Sequence, residues 1–111
     1  MIYDNKNIFA KILRGEMPCD KIYEDEFILS FKDISPQAKI HILIIPKVSY
    51  IDVADFLQNA DSQYQTNFWQ SVNKIIDNLD LRLKGFQIKT HKGKDGGQEV
   101  FHFHLHLLSN S

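Results

Sequence analysis

His102-Phe103-His104-Leu105-His106-Leu107-Leu108 sets imidazoles and large apolar side chains in strict alternation. Side chains along a β-strand point to opposite faces in turn, so this run places His102, His104 and His106 on one face. Phe101, Phe103, Leu105 and Leu107 share the other, which must turn to a core. The spacing predicts a strand over residues 99–108. A lone histidine in an apolar stretch is ordinarily just packed; three on one strand face point to chemistry.

The segments before this strand build the rest of the sheet. A polar, glycine-rich loop runs from His91 to Gly97, preceded by a strand over Phe86-Gln87-Ile88-Lys89-Thr90. Tyr64, Phe68, Val72, Ile75, Ile76 and Leu79 form an apolar stripe at helical spacing, predicting one long helix from Asp61 to Leu83. Asp52 to Phe56 is expected to form a short helical turn. His41 to Pro46 is apolar and β-branched, as a central covered strand would be. Asp33-Ile34-Ser35-Pro36-Gln37-Ala38 reads as a loop, because Pro36 restricts Ser35 to extended conformations, and Asp33 is well placed for an Asx turn.

Lys21-Ile22-Tyr23-Glu24 and Phe27-Ile28-Leu29-Ser30-Phe31 predict two strands around an acidic turn. At the start, Ile8, Phe9, Ile12 and Leu13 recur at helical spacing, with Asn7 as cap and Gly15 as stop. This order of elements predicts an α+β fold in which helices pack an antiparallel sheet. The 111 residues suit a single domain, 1–111.

Composition narrows the function classes. Thirteen basic and 14 acidic side chains give a net charge of -1, which lacks the basic footprint of a nucleic-acid polymer binder. A mononucleotide, needing only local donors, stays open. Cys19 is the sole cysteine, so neither an internal disulfide nor a Cys-rich zinc site is expected. No membrane segment is expected either, since the longest apolar stretch, Ile42 to Pro46, is far too short. A cytoplasmic protein follows, and so small a domain favours association into a homodimer.

Two chemistries suit a row of imidazoles. Zinc is one, but His102 and His106 would lie about 13 Å apart along a strand, too far to share one ion readily. Another ligand would have to come from His41 or His91, and acidic groups nearby are few. An extended phosphate ester or amidate fits the row better. One ring attacks phosphorus while its neighbours hold oxygens and move protons. His104, the central ring, is the candidate nucleophile. Gly93-Lys94-Asp95-Gly96-Gly97-Gln98 would let backbone N–H groups approach the anion. A metal-dependent hydrolase built on His102 and His104 stays as a weaker reading, and no cofactor is called for.

The form His-φ-His-φ-His-φ-φ resembles the signature of the histidine triad (HIT) proteins. Ile8 to Pro18, Phe31 to Ala38, His41 to Lys47 and Gly96 to Val100 resemble further blocks of the Hint branch in the same order. The resemblance implies a five-stranded antiparallel sheet with two main helices, paired into a homodimer with a continuous sheet. It implies a purine mononucleotide or nucleotide conjugate as ligand, and metal-free hydrolysis of purine nucleoside phosphoramidates or aminoacyl-adenylates. By matching position, His104 would form a transient nucleotidyl-histidine, with His102, His106 and His41 assisting. Asp33 would hold the ribose. Ile8, Phe9, Ile12, Met17, Phe31 and Ile34 would line the base pocket, and Gly97, Gln98 and Glu99 would form the phosphate-side loop. Glu99, if buried beside the leaving group, could donate a proton. His91 stands where the branch usually has Asn, a side chain that contacts the phosphate or leaving group, and so counts among the nucleotide-binding residues; the chain stops at Ser109-Asn110-Ser111, where relatives continue into a tail. These two departures leave a catalytically weak, nucleotide-binding regulatory module as the alternative.

Overall fold

The computed structural model describes residues 1–111. In chain order it contains α1 (Ile8–Leu13), β1 (Lys21–Glu24), β2 (Ile28–Lys32), β3 (Ile40–Pro46), α2 (Val53–Asn59), α3 (Ser62–Asn78), β4 (Gln87–Lys89) and β5 (Leu105–Ser109). One 3-10 turn, Lys94–Gly96, lies in the glycine-rich loop. The strands make a single sheet in the order β1-β2-β3-β5-β4, with each neighbouring pair antiparallel. The expected α+β class and five-stranded sheet are present. Helices number three rather than two, because the turn expected at Asp52 to Phe56 extends to Asn59. No helix is long and apolar enough to cross a membrane.

Capping explains where the helices begin and end. The Asn7 side chain accepts the Ala10 N–H at 2.9 Å, satisfying a donor at the start of α1. At its end Gly15 takes φ +79°, and the N–H groups of Gly15 and Glu16 bond the Ile12 and Lys11 carbonyls. This is a Schellman closure. The same closure stops α3 at Asn78, short of the expected Leu83. Asp80 sits at φ 56°, Asp80 and Leu81 donate to Asp77 and Ile76, and Leu81 folds back fully buried. An aspartate in the position that usually takes glycine concealed this stop.

The last strand is also shorter than expected, starting at Leu105 instead of Glu99. Its final pair with β3 is Ile44 with Leu105; beyond it, Phe103 N–H bonds the Tyr50 carbonyl at 2.7 Å rather than a ladder partner. Alternation of faces survives without the ladder, since it needs only extended backbone.

Two packed layers result. On one face Ile28, Ile42, Ile44, Leu105 and Leu107 meet Phe56, Phe68, Val72, Ile75 and Phe103 in a cluster of 13 buried residues. On the other, Leu29, Phe31, Leu43 and Ile45 are covered by Phe9 of α1. His41 precedes Leu43 and Ile45 on that second face, and His106 pairs directly with Leu43. The histidines are therefore on the thinly covered side.

Candidate active site

All five histidines of the chain fall into one cluster. Ring centroids lie 5.1 Å apart for His104 and His106, 5.3 Å for His41 and His106, and 5.3 Å for His91 and His106. His102 joins through its backbone carbonyl, which accepts from His104 Nδ1 at 2.7 Å.

The hydrogen bonds fix the tautomers. A carbonyl can only accept, so Nδ1 of His104 carries the proton and Nε2 presents a lone pair. The Gln37 backbone N–H donates to His41 Nδ1 at 3.0 Å, which leaves the His41 proton on Nε2. That Nε2–H donates to His106 Nδ1 at 3.0 Å, so His106 holds its own proton on Nε2. The polarity runs in one direction from the Gln37 amide through two rings. One nucleophilic nitrogen and one donor nitrogen then sit on adjacent rings.

His102 is different. Its Nε2–H donates to the Pro46 carbonyl at 2.9 Å, and its Nδ1 accepts from the Tyr3 hydroxyl at 2.6 Å. With both nitrogens engaged and the residue fully buried, the ring has nothing to offer phosphate or metal. A hydrolase metal held by His102 and His104 is thus removed, and the contact from His102 to His104 runs through its carbonyl. Phe9 packs edge-on against His104 and His102, with centroids 5.0 and 6.4 Å away.

Burial sets the charge state. It is the main cause that pushes His102 down to about 4 and His106 down to about 4, with His104 adding repulsion to both. Burial also lowers His104, reinforced by His91 and opposed by the His102 carbonyl and Asp33. The triad is therefore neutral near pH 7.

Asp33 serves two partners. Oδ1 accepts the Ser35 N–H at 2.7 Å, the Asx turn expected of it, and Oδ2 lies 3.4 Å from His41 Nε2. Acidic ligands are not as remote as the sequence suggested: donor atoms of Asp33, His41 and His106 all lie within 4.8 Å of one another. A cation could be held there only by displacing the proton that now joins the two rings.

The glycine-rich loop departs from the expected anion cradle. The N–H groups of Gly96, Gly97 and Gln98 bond carbonyls of Gly93 and Lys94 within the loop. Gln98 is buried; its Oε1 accepts from Gly93 N–H, and its Nε2 donates to the Ile51 and Val100 carbonyls. Gln98 therefore clasps the loop, and the next two amides, of Glu99 and Val100, donate to no protein group. The Glu99 side chain is exposed, so the burial its expected proton donation required is lacking.

Of the expected base-pocket residues, Phe9 and Phe31 pack together at 5.6 Å with Ile12 against them. Ile8, Met17 and Ile34 are exposed, Ile34 at 94%. Sequence reasoning missed Tyr3, the Gln37 amide and Thr90, whose Oγ1 donates to the His104 carbonyl at 2.7 Å. Nothing local marks Tyr3, which reaches across the whole chain. A polar residue abutting a triad strand was the only available hint for Thr90.

Comparison with known proteins places the chain in a family. Residues 14–111 match the model of the HIT domain. The chain is 41% identical over 107 residues to an uncharacterized HIT-like protein of Rickettsia prowazekii, covering 96% of this chain and 89% of that one. It is 36% identical over 106 residues to the purine nucleoside phosphoramidase of Escherichia coli, covering 93% and 86%. A HIT family hydrolase from Legionella pneumophila superposes with a TM-score of 0.86 at 38% identity, over 96% of this chain and 94% of that one. An intact row of histidines with fixed tautomers, on a sheet of this order, together with these matches, establishes that the chain belongs to the histidine triad family.

Proposed function

We propose that the protein hydrolyses purine nucleoside phosphoramidates or aminoacyl-adenylates through a covalent nucleotidyl-histidine at His104. The observation that carries this is the bond from His104 Nδ1–H to the His102 carbonyl. It leaves Nε2 as a free lone pair on a ring that burial keeps neutral. As Nε2 bonds phosphorus the ring becomes positive, and the same carbonyl stabilises that charge. His106 Nε2–H, polarised through His41, donates to a phosphate oxygen. The amides of Glu99 and Val100 are available for the others. Asp33 Oδ2 receives the ribose hydroxyls, and Phe9, Phe31, Ile12, Ile8, Ile34 and Met17 form the wall that closes on the base. Similarity to the Escherichia coli phosphoramidase supports a purine and a P–N bond.

No residue in this scheme needs a metal, so exhaustive chelation should leave turnover unchanged. The protein works in the cytoplasm as a homodimer, joined at β4. That edge strand is exposed, with its own Ile88 and the preceding Phe86 each 38% accessible and Trp69 at 43% on α3. Sedimentation should give a dimer. The decisive test is His104→Ala, which should bind AMP and release none from adenosine phosphoramidate. A folded wild-type protein that binds AMP without turning over any such substrate would instead be a regulatory binding module.

A further inference from the structure

His91 differs from the other four histidines in what its ring lacks. His41, His102, His104 and His106 each use at least one ring nitrogen in a bond inside the protein. No protein group bonds either nitrogen of His91, yet its ring packs edge-on against His106 at 5.3 Å. Its position is held from both sides. The preceding Thr90 is tied to the His104 carbonyl, and a Cβ at Gly97 would lie 3.9 Å from His91 Cδ2, so the loop folds over the ring. Half-buried, it touches both the site and solvent.

From the β5 side His91 meets His104 and His106, with Asp33 behind them. Its own segment carries Lys89, Lys92, Lys94, Asp95 and Glu99, all exposed, and Lys92 pairs with Asp52 at 3.4 Å. An amine leaving phosphorus needs a proton. His104 Nε2 has none, and half-buried His106, whose charged form burial disfavours, keeps its one Nε2 proton to hold the phosphate. Only His91 stands beside the site with both ring nitrogens free of protein partners and with access to water.

We propose that His91 gives the proton to the departing amine and then takes one from the attacking water, a role that rests on the hydrolase reading above. In the first step the Nε2–P bond forms as P–N breaks. The P–N electron pair leaves with the amine nitrogen, which takes a proton from the His91 imidazolium. In the second step neutral His91 takes a proton from water as its oxygen bonds phosphorus, and the Nε2–P pair returns to His104.

The test compares two substrates with one adenylyl group: an alkylamine phosphoramidate, whose leaving group needs a proton, and the p-nitrophenyl ester of AMP, whose leaving group does not. Asparagine can hydrogen bond but not titrate. His91→Asn should therefore lower kcat/KM on the amidate by about 100-fold, at the low end of the general acid–base range. On the nitrophenyl ester kcat/KM, which reports only the first step, should change by less than about threefold, and AMP affinity should hold. The alkaline limb of the wild-type pH profile on the amidate should vanish in the variant. Equal losses on both substrates, or no loss on the amidate, would overturn the role for His91. Absence of wild-type turnover on both substrates would overturn the hydrolase reading and this role together.

Discussion

The two faces of the sheet come from the same alternating strands and are held by different physics. Toward α2 and α3, 13 buried residues form an apolar cluster in which Phe56 stacks on Phe103 at 4.8 Å. Toward α1, only five apolar residues cluster, and four histidines share their space. On the first face, shape and volume decide stability. On the second, each buried imidazole must find an internal partner or carry a desolvation cost. The partners supplied, carbonyls of Pro46 and His102 and the amide of Gln37, also choose which nitrogen bears each proton. Satisfying the buried polar groups and preparing the chemistry are thus one arrangement.

Neighbouring residues of the last segment should separate the two faces cleanly. His104→Ala should lower kcat by ~10⁴-fold or more, as loss of a nucleophile does, while the melting temperature moves little. Phe103→Ala, one residue away but facing the helices, should cost about 3–5 kcal/mol in urea unfolding. Its effect on turnover at low temperature, in the fraction that remains folded, should be minor. A large stability loss in the first variant and none in the second would reverse the assignment of faces.

Acid should weaken the histidine face specifically. In the unfolded chain histidines protonate near their ordinary 6.5, whereas folded His102 and His106 resist until about 4. Between those values the unfolded state binds more protons, so stability falls as pH drops through this window. For the fully buried His102 the loss is about 3 kcal/mol by pH 4. Thermal melts from pH 7 to 4 should show this slope, and His102→Asn should flatten it. A slope unaltered by that substitution would place the proton uptake elsewhere.

The smallest effect is expected at the far end of the chain. Tyr3→Phe removes the donor to His102 Nδ1 and leaves a buried acceptor unmatched, for about 1–2 kcal/mol of stability. Turnover should fall only a few-fold, since the His102 carbonyl remains in place. A loss as deep as that of His104→Ala would mean that the Tyr3 hydroxyl reaches the reacting atoms.

Much of this arrangement is legible in the sequence. Period-two alternation at residues 102–108 placed the histidines and Phe103, Leu105 and Leu107 on their proper faces, even though the ladder starts only at Leu105. Alternation reports extended backbone and is blind to whether a neighbouring strand exists to pair with. Asn7 and Gly15 marked α1 because a capping side-chain oxygen and a glycine free to take positive φ are local properties. Asp80 hid the end of α3 because left-handed aspartate is uncommon. At the site, residue types identified the histidines and the Asx turn of Asp33. They could not show that both His102 nitrogens are engaged, that Gln98 clasps its loop, or that Tyr3 reaches the triad. Those facts depend on partners separated by as many as 99 positions, as Tyr3 and His102 are.

The claim that matters most is that Nε2 of His104, freed by the His102 carbonyl, is the atom that bonds phosphorus. Rapid acid-free quenching during turnover of adenosine phosphoramidate, followed by peptide mass spectrometry, tests it directly. The expected result is an adenylyl group on the peptide carrying His104, absent in His104→Ala and cleared as AMP accumulates. Full turnover with no adduct under conditions where intermediate hydrolysis is slowed, or an adenylyl group on His106 or His91 instead, would contradict it.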